Sequence, residues 1–207
     1  HRDLHSFPTR RSSDLIQLMD GRGVRATAMV MDGRKLNITA RESVAEPSTK
    51  VRLYVSPPKH NKMDQLLAQC CETGIWSISL VLMEHSVTRP EPGVIQERWM
   101  LHLVEGCKQS KNPFLPELHG PAGFKEMLSE IAAKHIPACF GAVGDTPAAT
   151  PGDVPEIAWI VGPEGGFSST EEESMRTAGF QPLNLGRWTM RIETAAVAGA
   201  VLLGAGK

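Results

Sequence analysis

Two rhythms of apolar and polar positions run along this 207-residue chain. Near the N-terminus apolar residues alternate with polar ones, at the period of a half-buried strand. Ile16–Met19, Arg25–Met31 and Lys35–Ala40 are the predicted strands. Asp20-Gly21 and Asp32-Gly33 separate them, and Asp-Gly between alternating runs predicts hairpin turns. Glu46-Pro47-Ser48-Thr49 breaks the alternation, so residues 47–50 read as a linker.

Beyond it, short solid apolar runs alternate with 3.6-residue periods. Strands are predicted at Val51–Ser56, Ser77–Met83, Phe114–Leu118 and Ala138–Val143, and helices at Asn61–Thr73, Val94–Gln109 and Gly123–Lys134. The first helix gathers Met63, Leu66, Leu67 and Cys70 on one face. Thr146 to Pro155 reads as a loop. Such alternation predicts an α/β domain with a parallel sheet over residues 51–207. There is no internal repeat.

The pattern is richest toward the C-terminus. Ile157–Val161 is a continuous apolar run, as expected of a strand buried on both faces. Gly162, Pro163, Gly165 and Gly166 then allow turn geometries that a Cβ would forbid. Ser168 and Glu171 have capping-box spacing, Glu172 and Glu173 suit the positive helix end, and Gly179 suits its C-terminus. A short strand at Gln181–Leu185, a turn at Gly186 and a helix from Met190 to Leu203 complete the stretch. Glycine turns of this kind occur in ordinary βαβα units. Two so close together predict a backbone folded around a small ligand. The chain has neither a Gly-x-x-x-x-Gly-Lys-Ser/Thr loop nor a Gly-x-Gly-x-x-Gly after the strand, and Glu164 would repel phosphate, so a cationic or neutral ligand fits better.

Composition narrows the picture only a little. Hydrophobic residues make up 41% of the chain, enough for a real core, whereas 5% aromatic content argues against a broad stacking platform for single-stranded RNA. Net charge is −1, divided as +3 over residues 1–50 and −4 over the rest, which neither demands nor excludes a nucleic-acid partner. Cys70, Cys71, Cys107 and Cys139 form no Cys-x-x-Cys and read as buried thiols of a reducing compartment. The seven histidines, among them His60, His102 and His135, lack metal-ligand spacing, so no metal site is expected. No membrane span or signal peptide is visible in the sequence, and a cytoplasmic location is expected.

Residues 1–15 have no apolar period and back-translate to a widely used sequencing-adapter string. They are read as a translated artefact and set aside from fold reasoning.

Gly162-Pro163-Glu164-Gly165-Gly166-Phe167-Ser168, followed by Leu185-Gly186 and Met190-Arg191-Ile192-Glu193-Thr194-Ala195, closely resembles the RsmE family of the SPOUT superfamily, bacterial 16S ribosomal RNA uridine N3-methyltransferases. Weaker matches are Asp20-Gly21-Arg22-Gly23, Lys59, Glu72-Thr73-Gly74, Glu84-His85-Ser86-Val87, Glu97-Arg98-Trp99, Glu105 to Ser110 and Pro116-Glu117-Leu118, so the resemblance spans about residues 16 to 204. Departures are Gln69 for a usual lysine, Thr73 for leucine, His85 for arginine and Lys111-Asn112 near a usual Gly-Arg.

The resemblance implies a SPOUT-type parallel sheet with a C-terminal trefoil knot, preceded over residues 16–46 by a truncated PUA-like RNA-binding β-barrel that lacks its first strands. It implies S-adenosylmethionine as cofactor. The binding residues would be Val161, Gly162, Pro163, Glu164, Gly165 and Gly166 in the first turn, Leu185 and Gly186 in the second, then Met190 and Thr194, with Ala142 on the ribose side. Arg191 would be the catalytic group that orients uracil or stabilises its anion, since a guanidinium is no base at neutral pH. Glu193, or Glu164, would take the proton or fix Arg191. Arg22, Arg98 and Gln109 would contact RNA. The implied partners are 16S ribosomal RNA in the small ribosomal subunit and a second copy of the chain in a homodimer, with neither DNA nor membrane. Two other readings remain open from the residues: a SPOUT methyltransferase of another RNA nucleotide, and a non-catalytic protein that keeps the fold to bind RNA or cofactor.

Overall fold

In the computed structural model, which describes residues 14–32, 35–59, 62–143, 152 and 154–207, the chain divides into two units, His1–Glu46 and Pro47–Lys207. Most of the adapter-like segment, Gly33 of the second predicted turn, His60 and Asn61, and most of the Thr146–Pro155 loop lie outside the described residues.

The first unit holds an antiparallel sheet of β1 (Leu15–Met19), β2 (Val24–Val30) and β3 (Leu36–Ser43), in that order. The first predicted hairpin forms because Asp20 Oδ1 accepts the amides of Arg22 (2.7 Å) and Val24 (3.0 Å), while Gly21 and Gly23 take φ of +77° and +101°. Those two amides hold the Asp20 carboxyl below its ordinary range. Ala28 is the fully buried residue of this sheet, beside a bulge at Thr27/Ala28.

The second unit is the expected α/β domain. Its strands are β4 (Lys50–Val55), β5 (Ser77–Leu82), β6 (Glu117–Gly123), β7 (Ala138–Ala142), β8 (Glu156–Val161) and β9 (Gln181–Asn184). They pair in parallel in the order β6-β5-β4-β8-β7-β9. Its helices are α1 (Lys62–Thr73), α2 (Glu97–Ser110), α3 (Phe124–Ala133), α4 (Ser169–Thr177) and α5 (Ile192–Leu202). In β8, Ile157, Trp159 and Val161 belong to one core, with α1, α2 and α5, through Leu66, Leu67, Leu103, Ala196 and Ala200. Ala158 and Ile160 belong to the other, with Met127 and Ile131 of α3 and Met175 of α4. A strand buried on both faces needs apolar residues at successive positions, which is why β8 reads as a solid run.

α5 is seated by Trp159. The indole Nε1 donates to the Ala195 carbonyl (3.2 Å), and the ring lies where a Cβ on Gly199 would come within 2.3 Å. Only glycine permits that approach. The chain end returns to the segment before β4, where Ser48 N donates to the Lys207 carbonyl (2.8 Å).

Among the boundaries that differ from expectation, three have a clear bearing on the α/β unit. β6 runs from Glu117 to Gly123, not over Phe114–Leu118, because Asn112 Oδ1 accepts the Phe114 amide in a turn and the Phe114 ring packs on Trp76. Pro121 is tolerated inside β6 because that strand lies at the sheet edge. α2 begins at Glu97 rather than Val94. α5 begins at Ile192, since Arg191 is extended (φ −67°, ψ 157°) and Met190 is drawn into the wall described below.

Candidate functional site

Past the carboxyl ends of β7, β8 and β9 the loops enclose a cavity of about 480 Å³. In open α/β sheets ligands bind outside the carboxyl ends of the strands, and this volume lies within the range of small-molecule sites.

The floor is the glycine turn after β8. Val161 ends the strand, and its carbonyl accepts the amide of Ser56 at the end of β4 (3.1 Å). Gly166 takes φ +75° and its amide closes the turn on the Pro163 carbonyl (2.9 Å). Phe167 folds back so that a Cβ on Gly162 would meet its ring at 3.1 Å. The predicted capping box is present: Ser168 Oγ accepts the Glu171 amide (3.3 Å) and Glu171 Oε2 accepts the Ser168 amide (2.9 Å).

Glu171 does more than cap. It is 6% exposed, and its Oε1 accepts the amide of Glu84 (2.9 Å), in the loop after β5. That loop is held from three further sides. Ser86 Oγ accepts the Met83 amide (2.8 Å) and shares a buried hydrogen bond with Ser56 Oγ (2.8 Å), Arg89 donates to the carbonyls of Met83 and Glu84, and His85 Nδ1 lies 3.1 Å from the Gly166 carbonyl. The glycine turn is therefore buttressed from outside the cavity.

The far wall is the turn after β9. Asn184 Oδ1 accepts the Gly186 amide (2.9 Å), and Gly186 has φ +151°. Residues 187–191 then run without regular structure into α5. Arg191 is the N-cap residue of α5 and exposed, and among the described residues its guanidinium has no ion pair. Glu193, two residues on, has a side chain 7% exposed and pairs with Lys62 Nζ of α1 at 3.1 Å. Lys59, Lys62 and Arg191 face Glu164 and Glu193 around the wall, so the cavity mixes both signs of charge with an apolar lining.

Of the residues expected at a site, Ala142, Val161, Gly162, Pro163, Glu164, Gly166, Leu185, Gly186, Met190, Arg191 and Glu193 line this cavity. Gly165 and Thr194 do not. A Cβ at Gly165 would lie 3.0 Å from His85 Cβ, so that glycine serves close packing of two loops, and Thr194 is exposed on the first turn of α5. Arg98 and Gln109 are exposed on α2, away from the cavity wall, and Arg22 is exposed in the β1–β2 turn of the first unit. Glu193 is not drawn to Arg191, one of the roles expected for it; its recorded partner is Lys62.

Sequence reasoning missed Pro58 from the loop after β4 and Lys62 at the start of α1, along with Asn184 and Trp188, all of which line the cavity. Trp188 carried a signal: a large aromatic in a stretch with neither helical nor strand period. The four cysteines are buried and free, and none lines the cavity. Burial pushes the Cys139 thiol up to about 11 and raises Cys70 further. Among the described residues no group of three or more His, Cys, Asp or Glu side chains is placed to hold a metal, and no helix is long and apolar enough to cross a membrane.

Comparison with known proteins gives three findings. The family model for an RNA methyltransferase domain matches residues 45–204. Ribosomal RNA small subunit methyltransferase E of Aquifex aeolicus is 30% identical over 153 residues, covering 73% of this chain and 66% of that protein. The protein of the same name from Synechocystis is 25% identical over 197 residues, covering 89% and 64%. The chain thus spans a little under two thirds of the length of these curated relatives. The crystal structure of a ribosomal RNA small subunit methyltransferase E from Neisseria gonorrhoeae, bound to S-adenosyl methionine, superposes with a TM-score of 0.78 at 26% identity, over 93% of this chain and 83% of that one.

Proposed function

Because the chain belongs to the RNA methyltransferase domain family, we propose that it transfers a methyl group from S-adenosylmethionine to N3 of a uridine in 16S ribosomal RNA. The observation that carries this reading is the convergence of two separate sequence motifs on one cavity: residues of the turn Gly162–Phe167 and of the stretch Leu185–Glu193 both line its wall. The neighbour of similar fold from Neisseria gonorrhoeae is a small subunit methyltransferase E bound to that cofactor.

The residues present fit the cofactor. Gly186 has φ +151°, and a Cβ there would meet nothing nearer than Met190 Cε at 3.9 Å, so the backbone at this turn is open to close approach by a flat ring. Val161, Gly162, Gly166, Leu185, Gly186 and Met190 would hold it, with Ala142 on the ribose side. When bound, S-adenosylmethionine supplies a methyl group on a sulfonium, an activated donor that requires no covalent enzyme intermediate.

Arg191, at the cavity wall and without an ion pair among the described residues, orients the uracil and stabilises the negative charge that develops on its carbonyls. The Glu193 carboxylate would take the N3 proton and leave the N3 lone pair free to accept the methyl group, whose bond to sulfur would break with its electron pair staying on the sulfur. Lys62 holds Glu193 in place. Glu164, exposed in the glycine turn, is the alternative acceptor. Fixing both substrates in line lowers the barrier by up to roughly 7–11 kcal/mol.

The same reading takes residues 16–46 as part of a PUA-like RNA-binding domain, residues 47–50 as linker and residues 51–207 as a SPOUT domain. It has the C-terminal segment passing through a loop as a trefoil knot and the chain acting as a cytoplasmic homodimer on the small ribosomal subunit. Arg22, Arg98 and Gln109, all exposed, are its RNA contacts.

The test is to mix the chain with isotopically labelled S-adenosylmethionine and unmodified small ribosomal subunits, then locate the label by nuclease digestion and mass spectrometry. One N3-methyluridine in 16S RNA is expected. Label on another nucleotide rejects the N3 assignment, and cofactor binding without transfer rejects catalysis. Arg191→Ala is expected to lower kcat by roughly 10²- to 10³-fold while leaving cofactor affinity within about twofold.

A further inference from the structure

Trp188 is 76% exposed, more than any other exposed large apolar side chain among the described residues, and yet it lines the cavity. The other tryptophans have structural work. Trp159 and Trp99 are buried in the core, and Trp76 packs against Phe114 with Lys50 Nζ above it at 4.3 Å. Leaving an indole in water forgoes much of the gain from burying so large an apolar side chain. Nothing in the fold requires it here, because residues 187–191 belong to no strand or helix.

The surroundings say what the ring faces. Arg187 places its guanidinium carbon 5.1 Å from the ring centroid and so lies over the indole. Arg187, Arg191, Lys59 and Lys62 stand on or beside the same wall against Glu164 and Glu193, and Glu193 is already paired with Lys62. A ring flanked by cations at the mouth of a pocket has the chemistry of a single-stranded nucleic-acid site, in which bases stack on an aromatic face and cations meet the phosphates. A target base must also leave its own stack to bring N3 into the cavity, and an aromatic surface at the mouth offsets that loss.

We propose that Trp188, backed by Arg187, is a stacking platform for a nucleobase of the single-stranded RNA that enters the cavity. The proposal rests on the functional reading above for the identity of the substrate. The ring is not a cover for the cofactor, since an indole three-quarters in water lies at the rim, whereas the cofactor would sit against Val161 and Leu183, which are 4% and 0% exposed.

The experiment uses the full chain and its Trp188→Ala and Trp188→Phe variants. Each is titrated with a labelled, uridine-containing single-stranded oligoribonucleotide and followed by anisotropy. Calorimetry with S-adenosylmethionine and sedimentation accompany each variant. Loss of base stacking in Trp188→Ala is expected to weaken RNA binding by roughly 5- to 150-fold, with Trp188→Phe retaining most of the affinity and cofactor binding unchanged in both. Equal RNA affinity in all three proteins overturns the proposal, as does a parent that binds no RNA. So does a Trp188→Ala variant that loses cofactor affinity instead, which would give the ring to the cofactor, or one that changes sedimentation, which would give it to a second copy. RNA binding is read without methyl transfer. An inactive parent with the Ala/Phe difference intact would therefore reject the methylation reading and keep the stacking platform.

Discussion

Lys62 and Glu193 form the least symmetrical ion pair among the described residues. The carboxylate is almost sealed, with a side chain 7% exposed, whereas the ammonium remains 36% exposed at 3.1 Å. Removing one partner of a buried pair is costly because the other is left charged and unsolvated. Here the penalty falls on one side only. In Glu193→Gln, Lys62 can turn its ammonium into water, so the cost is expected at about 1 kcal/mol. In Lys62→Met, Glu193 cannot reach water, and a loss of about 3 kcal/mol is expected. Urea denaturation of the two variants against the parent measures the difference, and equal losses would show that the carboxylate finds solvent or another donor. Sequence alone did not reveal this pair. Glu193 was legible within its motif, but its partner lies on a helix more than a hundred residues earlier, and no local period carries that contact.

At the scale of elements, much of the site's framework was readable because it depends on backbone geometry that few residues permit. The positive φ of Gly166 and the capping box of Ser168 and Glu171 are local facts, written in adjacent residues. What Glu171 does with its second oxygen is not local. By accepting the amide of Glu84, it ties the start of α4 to the loop after β5, across 87 positions of sequence. Glu171→Ala keeps the Ser168 cap but removes the carboxylate and strands the amides of Ser168 and Glu84, so it is expected to cost about 2–3 kcal/mol. Glu171→Gln keeps one carbonyl oxygen and should fall between that variant and the parent. Thermal melts test the order, and calorimetry should show weaker cofactor binding in Glu171→Ala, since His85 and the glycine turn are held through the same loop. A variant as stable as the parent would mean that water replaces the carboxylate. α5 starts two residues later than expected because Met190 serves the cavity wall and Arg191 is extended, a consequence of the turn after β9 that no local pattern carries.

For the whole molecule, the alternation of runs and periods made the parallel α/β sheet legible, but not its strand order. β8 enters between β4 and β7, pairing Glu156 with Lys50 and bringing its side chain to Arg52, and neither Glu156 nor Arg52 stood out in a linear reading. Arg52 Nε and Nη2 donate to the two Glu156 carboxylate oxygens at 2.8 and 3.1 Å. That pairing holds the Glu156 carboxyl below its ordinary value of 4.5. A carboxyl whose folded-state pKa is depressed stabilises the fold fully above its unfolded value. The contribution is lost as pH falls through the folded value, because the unfolded chain then binds the proton more readily. Side-chain exposures of 17% for Arg52 and 34% for Glu156 leave the pair partly screened, so its share is expected at no more than about 1 kcal/mol. The expected result is a melting temperature that declines between about pH 5 and pH 3, with a shallower decline in Glu156→Gln, whose side chain does not titrate. Parallel slopes for parent and variant would assign the acid sensitivity to other carboxylates. A steeper slope in the variant would reverse the sign argued here.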